Sequence, residues 1–403
     1  MFRLTTIALL CAACPAAPQA EPAAPRHPAL ATGFTRLDGR TITAEQIDAT
    51  VERLTRAVAV TGVAIALFAH GDPVYLHAYG LRDTERSLPL TVDTIMTAAS
   101  LTKAAFAYLV MQLVDQHQID LDRPIQDYLP KPLPEYPRYA DLAGDARAEK
   151  LTARMLLDHT SGFANWRALE DDRRLAIHFD PGSRFAYSGE GIALLQLVIE
   201  TLLAAPLDQI MKARVFAPLH MHRTSMVWQP RFESDHANGY DATGRSLGPQ
   251  RRTRPDAAGG MQTTLADYAR FVSAVMRGTG LSATARREML RPQIRIASAH
   301  EFPTLRPETS DANRAIDLSY GLGWGLYRTP HGHAFFKEGN DDGWRHYVVG
   351  FDGGSGLLIM TNSSLGDAIY QALIETLLAN YLTPIEWEGF TPYDQKPPLH
   401  AAP

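Results

Sequence analysis

A chain of 403 residues, 45% hydrophobic and 21% charged, can bury a large core, roughly two to three domains' worth by length or one composite domain. Its net charge of −5 offers no basic surface, which argues against a nucleic-acid partner. Both cysteines, Cys11 and Cys14, lie near the start, so the chain from Glu21 onward has neither a disulfide framework nor a thiol nucleophile.

Residues 1–20 read as an export signal: "MFR" supplies the positive start, "LTTIALLCAAC" a short apolar run, and "PAAPQAEPAAP" a small-residue exit. The apolar run is too short to span a bilayer. "LCAAC" loosely resembles a bacterial lipoprotein box that would lipidate Cys14, although Cys11 stands where leucine is usual. The expected location is therefore periplasmic or extracellular, with any membrane attachment only through Cys14. Residues 21–40 are Pro/Ala-rich and read as a tether.

A helix is predicted next, with Thr43 and Gln46 in capping-box spacing and Ile47, Val51, Leu54 and Val58 on one face. "GVAIALFAHGDPVYLHAYGLRD" predicts two strands joined by a turn at His70–Pro73. "TAASLTKAAFAYLVM" predicts a helix that is apolar all round and hence buried. Helical patterns continue through "LTARMLLDHTSG", "GIALLQLVIETLLA" and "TLADYARFVSAVMRG", the last capped by Thr264. Strand patterns return in "YGLGWGLYRT", "GHAFFKEG", "WRHYVVGF" and "GLLIMTN", and "AIYQALIETLLANYL" predicts a closing helix.

Strands at both ends with helices between predict an α+β fold whose antiparallel sheet is assembled from the two chain ends. We expect about five strands, flanked by N- and C-terminal helices, with a mainly helical inserted lobe. The body covers 41–386, its sheet lobe 41–98 and 318–386, its helical lobe 99–317; residues 387–403 read as a tail.

The buried helix contains Lys103, three residues after Ser100, so the two side chains share a face with Cβ atoms about 5–6 Å apart. A buried lysine loses hydration of its charged form, which lowers its pKa and equips it to take a proton from a nearby hydroxyl. The alternative role for Ser100 is an ordinary N-cap. Two further segments could supply companions to this pair. "FDPGSRFAYSGEGIALLQLVIE" places Tyr187 before an apolar helix, and "FFKEGNDDGW" places Lys337 at a strand end. Taken singly, the first reads as a packing residue and the second as a solvated edge charge.

Together these segments resemble the serine hydrolases of the penicillin-recognising superfamily: class C β-lactamases, D-Ala-D-Ala carboxypeptidases and related serine esterases. The resemblance runs from about Gly62 to Leu382 and extends to "MLLDHTSGF", "AAGGMQTTLADYARFV" and "YGLGWG". It implies a β-lactamase/transpeptidase-like fold and a cofactor- and metal-free mechanism acting on a small ester, amide or peptide. In that scheme Ser100 is acylated, Lys103 helps deprotonate it, Tyr187 shuttles protons, and Lys337 holds Tyr187 and orients substrate. The backbone N–H groups of Ser100 and Asn340 would form the oxyanion hole, and Gly339 would leave room for substrate.

Two motif positions depart from the family. Gly189 stands where a lactamase carries a substrate-binding asparagine, and Glu338 stands where threonine or serine is usual, so it should repel a substrate carboxylate. Both departures favour an esterase, amidase or peptidase over a β-lactamase or D-Ala-D-Ala carboxypeptidase. A catalytically weak ligand-binding relative is the non-enzyme alternative.

Three other patterns compete for attention. Gly244–Gly248 matches G-x-S-x-G, but turn formers and Pro249 surround it, so it reads as a hairpin tip rather than a nucleophile elbow. His220/His222 and His331/His333 are H-x-H pairs without a third ligand at metal-site spacing. His159 reads as a packing residue.

Overall fold

The computed structural model describes residues 33–395, so the export signal, Cys11 and Cys14 lie outside the described residues. Helix α1 (Ala44–Ala57) forms as its sequence requires. Thr43 accepts from the Gln46 amide, Gln46 returns the bond, and Ile47, Val51 and Leu54 are buried. The first hairpin is strand β1 (Gly62–Ala69) and strand β2 (Asp72–Asp83), turned by His70 and Gly71, both with positive φ. Pro73 falls not in the turn but in β2, at a register shift opposite Phe68, where a missing N–H is tolerated.

Helix α2 (Leu101–Asp115) follows and is buried on nearly every side. Helix α3 (Gly189–Leu203) is capped by Ser188, and helix α4 (Leu265–Arg277) by Thr264, ending at Gly278 with φ +73°. The sheet then resumes. Beyond the edge strands β3 (Leu88–Pro89), β4 (Ile294–Arg295), β5 (Ser319–Tyr320) and β6 (Gly325–Thr329) come the long strands β7 (Gly332–Asp341), β8 (Trp344–Phe351) and β9 (Gly356–Thr361). Helix α5 (Tyr370–Leu378) closes the body.

The sheet is antiparallel in the order β4-β5-β6-β7-β8-β9-β1-β2-β3. β9 pairs with β1, Leu358 opposite Ala66, so the chain ends do meet in mid-sheet. The expected strands form the centre of a nine-stranded sheet extended by short edge strands. Both faces are covered. Ala64, Ala66, Phe335, Val348 and Leu358 pack toward α2 and α4, and their sequence neighbours Val63, Ile65, Phe336, Tyr347 and Val349 toward α1 and α5. Residues buried in alternation on two cores explain why these strands read as continuous apolar runs.

The ordered chain exceeds the expected limits. Phe34 is buried and pairs across from Ile42, inside the supposed tether, and Trp387 and Phe390 are buried inside the supposed tail. Edge strand β4 likewise joins the sheet from within the stretch assigned to the helical lobe. Among the described residues, no single helix is long and apolar enough to cross a membrane.

Candidate active site

Ser100 stands at the start of α2 but does not cap it. Its φ and ψ are −68° and −7°, and its side chain makes no capping bond. The preceding Ala99 has φ +47°, a conformation that costs a residue with a Cβ and recurs at functional sites. Neighbours hold this turn firmly. The Ala98 amide donates to the Met261 carbonyl at 2.8 Å, and the Thr102 hydroxyl donates to the Ala99 carbonyl at 2.6 Å. His346, buried, has Nε2 2.6 Å from the Thr97 carbonyl and accepts the Thr361 amide on Nδ1. Burial takes its pKa to about 4, so it serves as a neutral pin.

Lys103 Nζ lies 3.0 Å from Ser100 Oγ and donates to the Ala258 carbonyl at 2.6 Å. The side chain is 1% exposed. Burial first, and the charge of Lys337 second, bring its pKa down to about 7, with Asp256, Glu338 and Glu301 pulling the other way. An amine in that range is half unprotonated near neutrality, as a proton acceptor requires.

Tyr187 comes from the loop that ends in the Ser188 cap of α3. That loop is set by His159: its carbonyl accepts the Ala186 amide, its Nδ1 accepts the Ser188 amide, and its ring lies 4.3 Å from the Tyr187 ring. His159 thus buttresses the tyrosine, and burial keeps it neutral. Lys337 Nζ donates to the Tyr187 hydroxyl at 3.0 Å, and both lysine ammonium positions sit over the tyrosine ring, at 4.9 Å for Lys103 and 4.7 Å for Lys337. Tyr187 also interacts with the Ser100 side chain. Its pKa nevertheless goes well above 10, chiefly through burial and then through the charge of Glu338. Tyr187 is therefore a neutral phenol in the resting protein, better suited to give a proton than to take one.

Strand β7 brings Lys337, Glu338, Gly339 and Asn340 to the same place. A Cβ on Gly339 would stand 2.8 Å from the Ala98 carbonyl oxygen and 3.0 Å from Leu101 Cγ. The glycine therefore lets the strand rest against the Ser100 turn, rather than making room for substrate as expected. Asn340 lines the cleft, and its Oδ1 is buried without a partner. Glu338 lines the cleft, but its carboxylate is not free. It is 3% exposed, and its Oε1 is in contact with Lys337 Nζ.

These groups open on a cleft of about 590 Å³. Its other walls come from residues that the sequence patterns did not single out: Asn165, Trp166, Arg252, Asp256 and Phe302. Gly189 is absent from the lining because the Trp166 indole covers it; a Cβ there would be 2.5 Å from two ring atoms. Asn165 Oδ1 accepts the Gly189 amide at 3.0 Å. The sequence signal for Trp166 was slight: a glycine next to the tyrosine motif marks close approach, but not by what. Arg252 faces Asp341 at 3.3 Å and Asp256 at 3.9 Å.

The competing patterns take other places. Ser246 lies in a hairpin, Gly239–Tyr240 with Ser246–Gly248, and no helix follows it as an elbow would require. Neither histidine pair belongs to a group of potential ligands close enough to share an ion; among the described residues that group is Glu301, Glu338 and Glu388.

Comparisons with known proteins identify the family and the fold. The family model described as Beta-lactamase matches residues 47–379. The chain belongs to that family. Similar curated proteins include penicillin-binding protein 4 of Amycolatopsis lactamdurans, 26% identical over 85% of this chain and 92% of the relative. Esterase EstB of Burkholderia gladioli is 30% identical over 46% of this chain, and D-aminopeptidase of Brucella anthropi 27% over 48%. The chain spans 52% of the length of the former and 38% of the latter. Among solved structures, the D-alanine carboxypeptidase AmpC of Burkholderia cenocepacia superposes with TM-score 0.64 at 21% identity, covering 80% of this chain and 95% of that one. A β-lactamase/D-alanine carboxypeptidase of Pseudomonas syringae gives 0.66 at 19%, covering 83% and 98%. At those identities the structural likeness speaks for the fold. The relatives are serine hydrolases of several specificities.

Proposed function

We propose that the chain is an exported serine hydrolase that cleaves an ester or amide through an acyl-enzyme at Ser100. The observation that carries this is the convergence of Ser100, Lys103 and Tyr187 on one cleft, with Lys337, from a third distant segment, bonded to the Tyr187 hydroxyl. Neutral Lys103 takes the Ser100 proton as Oγ attacks the carbonyl carbon, and the backbone N–H groups of Ser100 and Asn340 receive the oxyanion. Tyr187 gives its proton to the leaving oxygen or nitrogen, Lys337 stabilises the transient phenolate, and the proton held by Lys103 restores the phenol. Water then attacks the acyl ester by the reverse route.

The substrate reading leans to an ester, or to an amide or peptide that is neutral or basic. Lys337, the natural anchor for a substrate carboxylate, already has Glu338, and Arg252 is bracketed by Asp341 and Asp256. Gly189 carries no amide, and Trp166 covers it. The second reading, a β-lactamase or D-Ala-D-Ala carboxypeptidase, draws on what several relatives are named for.

The test is fluorophosphonate labelling of wild type and Ser100→Ala, followed by a ranking of substrates. Labelling should vanish in Ser100→Ala; persistence there would refute the nucleophile. Short p-nitrophenyl esters should turn over faster than nitrocefin, and the opposite order would favour the second reading. Export is checked by N-terminal sequencing of mature protein from the cell envelope: a start near Glu21 supports a cleaved signal, and a blocked, lipid-modified Cys14 supports the anchor.

A further inference from the structure

Around Lys337 lie three carboxyl groups, one of which, Glu338, also lines the cleft. Glu301 belongs to the segment that presents Phe302, Glu338 to strand β7, and Glu388 to the C-terminal segment that follows Trp387. All three are buried, and their oxygens fall within 4.8 Å of one another. The Glu301 amide donates to the Trp387 carbonyl at 2.9 Å, which ties the first segment to the third. Phe302 stands edge-on to Tyr187 at 5.5 Å, and Trp387 packs on Phe185 at 5.9 Å. The cluster therefore joins the three segments that confine Tyr187 and Lys337.

Its polar partners are few. Lys337 Nζ takes Glu338 Oε1, and the Tyr347 hydroxyl donates to Glu388 Oε2 at 2.7 Å. Glu301 Oε2 and Glu388 Oε1 have no partner, and neither does the buried hydroxyl of Tyr320, which acts electrostatically on the same acids. The groups facing the cluster are Lys337 and Lys103, with Tyr187, Tyr320, Tyr327, Tyr347, Tyr370 and Tyr268 around it. Every one of these phenols is neutral, and Lys103 is committed to Ser100. Three ionised carboxylates would thus face one paired cation in a buried site, at a cost of several kcal/mol per uncompensated charge.

Charge balance requires two more positive charges. Two protons supply them, and so would one divalent cation. Lys337 decides between these, because its ammonium already occupies Glu338 and would repel an ion at the same oxygens. Burial pushes the carboxyls of Glu301 and Glu388 well above the usual range, each reinforced by the charge of Glu338.

We propose that Glu301 and Glu388 are positioning residues, carried as neutral carboxylic acids, which clamp the Phe302 and Trp387 segments onto Lys337 and Tyr187. Deprotonation at alkaline pH puts uncompensated charge into the clamp, loosens it and lowers activity. The sign follows from the shift: a carboxyl raised in the folded state contributes stability that fades as pH rises above the ordinary carboxylate range. The expected pH profile is bell-shaped, with its acid limb set by Lys103 and its alkaline limb by the clamp.

The activity readout rests on the serine-hydrolase reading; a spectroscopic one does not. On the full chain, the infrared spectrum of wild type minus Glu301→Gln/Glu388→Gln should contain the C=O stretch of a protonated carboxyl at neutral pH. That band should bleach in wild type over the pH range where p-nitrophenyl ester hydrolysis is lost. Glu301→Gln and Glu388→Gln, which keep the neutral form, should hold kcat/KM within about threefold at neutral pH and move the alkaline limb upward, whereas Glu301→Ala should lose about tenfold or more. A missing band, an unmoved limb, or glutamine variants as impaired as alanine would each overturn the clamp. A melting temperature that falls with chelator and recovers with Mg²⁺ or Ca²⁺ would replace the protons by a metal. If the glutamine variants do not fold, bleaching in wild type still decides. An intact band in a protein that fluorophosphonate does not label would leave the clamp standing and remove the Ser100 reading instead.

Discussion

Lys103 and Lys337 are buried to the same depth, 1% and 0% exposed, and both lie over the ring of Tyr187. Their partners separate them. Lys103 touches a hydroxyl and a carbonyl, neither of which carries charge, and its pKa falls to about 7. Lys337 touches a carboxylate. Two identical side chains in one site thus have different surroundings, and what divides them is where Glu338 points. Burial alone does not make a catalytic lysine; burial without a counter-ion does.

The largest test of this division removes the base. Lys103→Ala and Tyr187→Phe should each slow acylation by about 10²–10⁴-fold, the usual worth of a positioned acid or base. Burst kinetics near those of wild type in either variant would refute the role given to that residue. Stability should move the opposite way for the lysine. A depressed amine pKa means that the folded state resists the proton, a penalty fully present below about pH 7 and relieved as pH climbs toward the ordinary lysine value. Lys103→Met, which fills the space without charge, should therefore melt higher than wild type at neutral pH and below. A lower melting temperature would show that Lys103 is structural.

A finer test shifts the base without touching it. The charge of Lys337 lowers the Lys103 pKa and that of Glu338 raises it. Lys337→Met should accordingly move the acid limb of kcat/KM to higher pH, by about one unit for a like charge this close. Glu338→Gln should move it to lower pH. Shifts in the same direction for both variants would mean that packing, and not charge, sets the limb.

How much of this was legible in the chain depended on distance along it. Ser100 and Lys103 share one helical turn, so their spacing alone placed them together. Tyr187 and Lys337 came through resemblance, since no local pattern reveals that a loop and a strand end will meet. That one sheet joins the two chain ends followed from apolar runs at both. The acid cluster stayed hidden because Glu301 and Glu388 belong to segments with no periodicity, where a lone glutamate reads as solvated. Gly339 was expected to leave room for substrate and Gly189 to mark a lost substrate contact, and both are points of close packing, one against the Ser100 turn and one under Trp166. A missing side chain says that something comes near; only the fold says what.

Trp166 provides the smallest and most selective probe of the comparison. Its indole lies against Gly189 and 5.9 Å from Lys103 Nζ. Gly189→Ala would put a methyl group where two indole carbons stand at 2.5 Å, so the ring must shift and admit water beside Lys103. Water restores hydration to the ammonium form, which raises the pKa. The acid limb should then move upward, as with Lys337→Met but less, while the alkaline limb stays in place because neither Gly189 nor Trp166 is among the groups that act on Glu301 and Glu388. Coupled movement of both limbs would show that the two lysine environments are one electrostatic unit, and would undo the division drawn above.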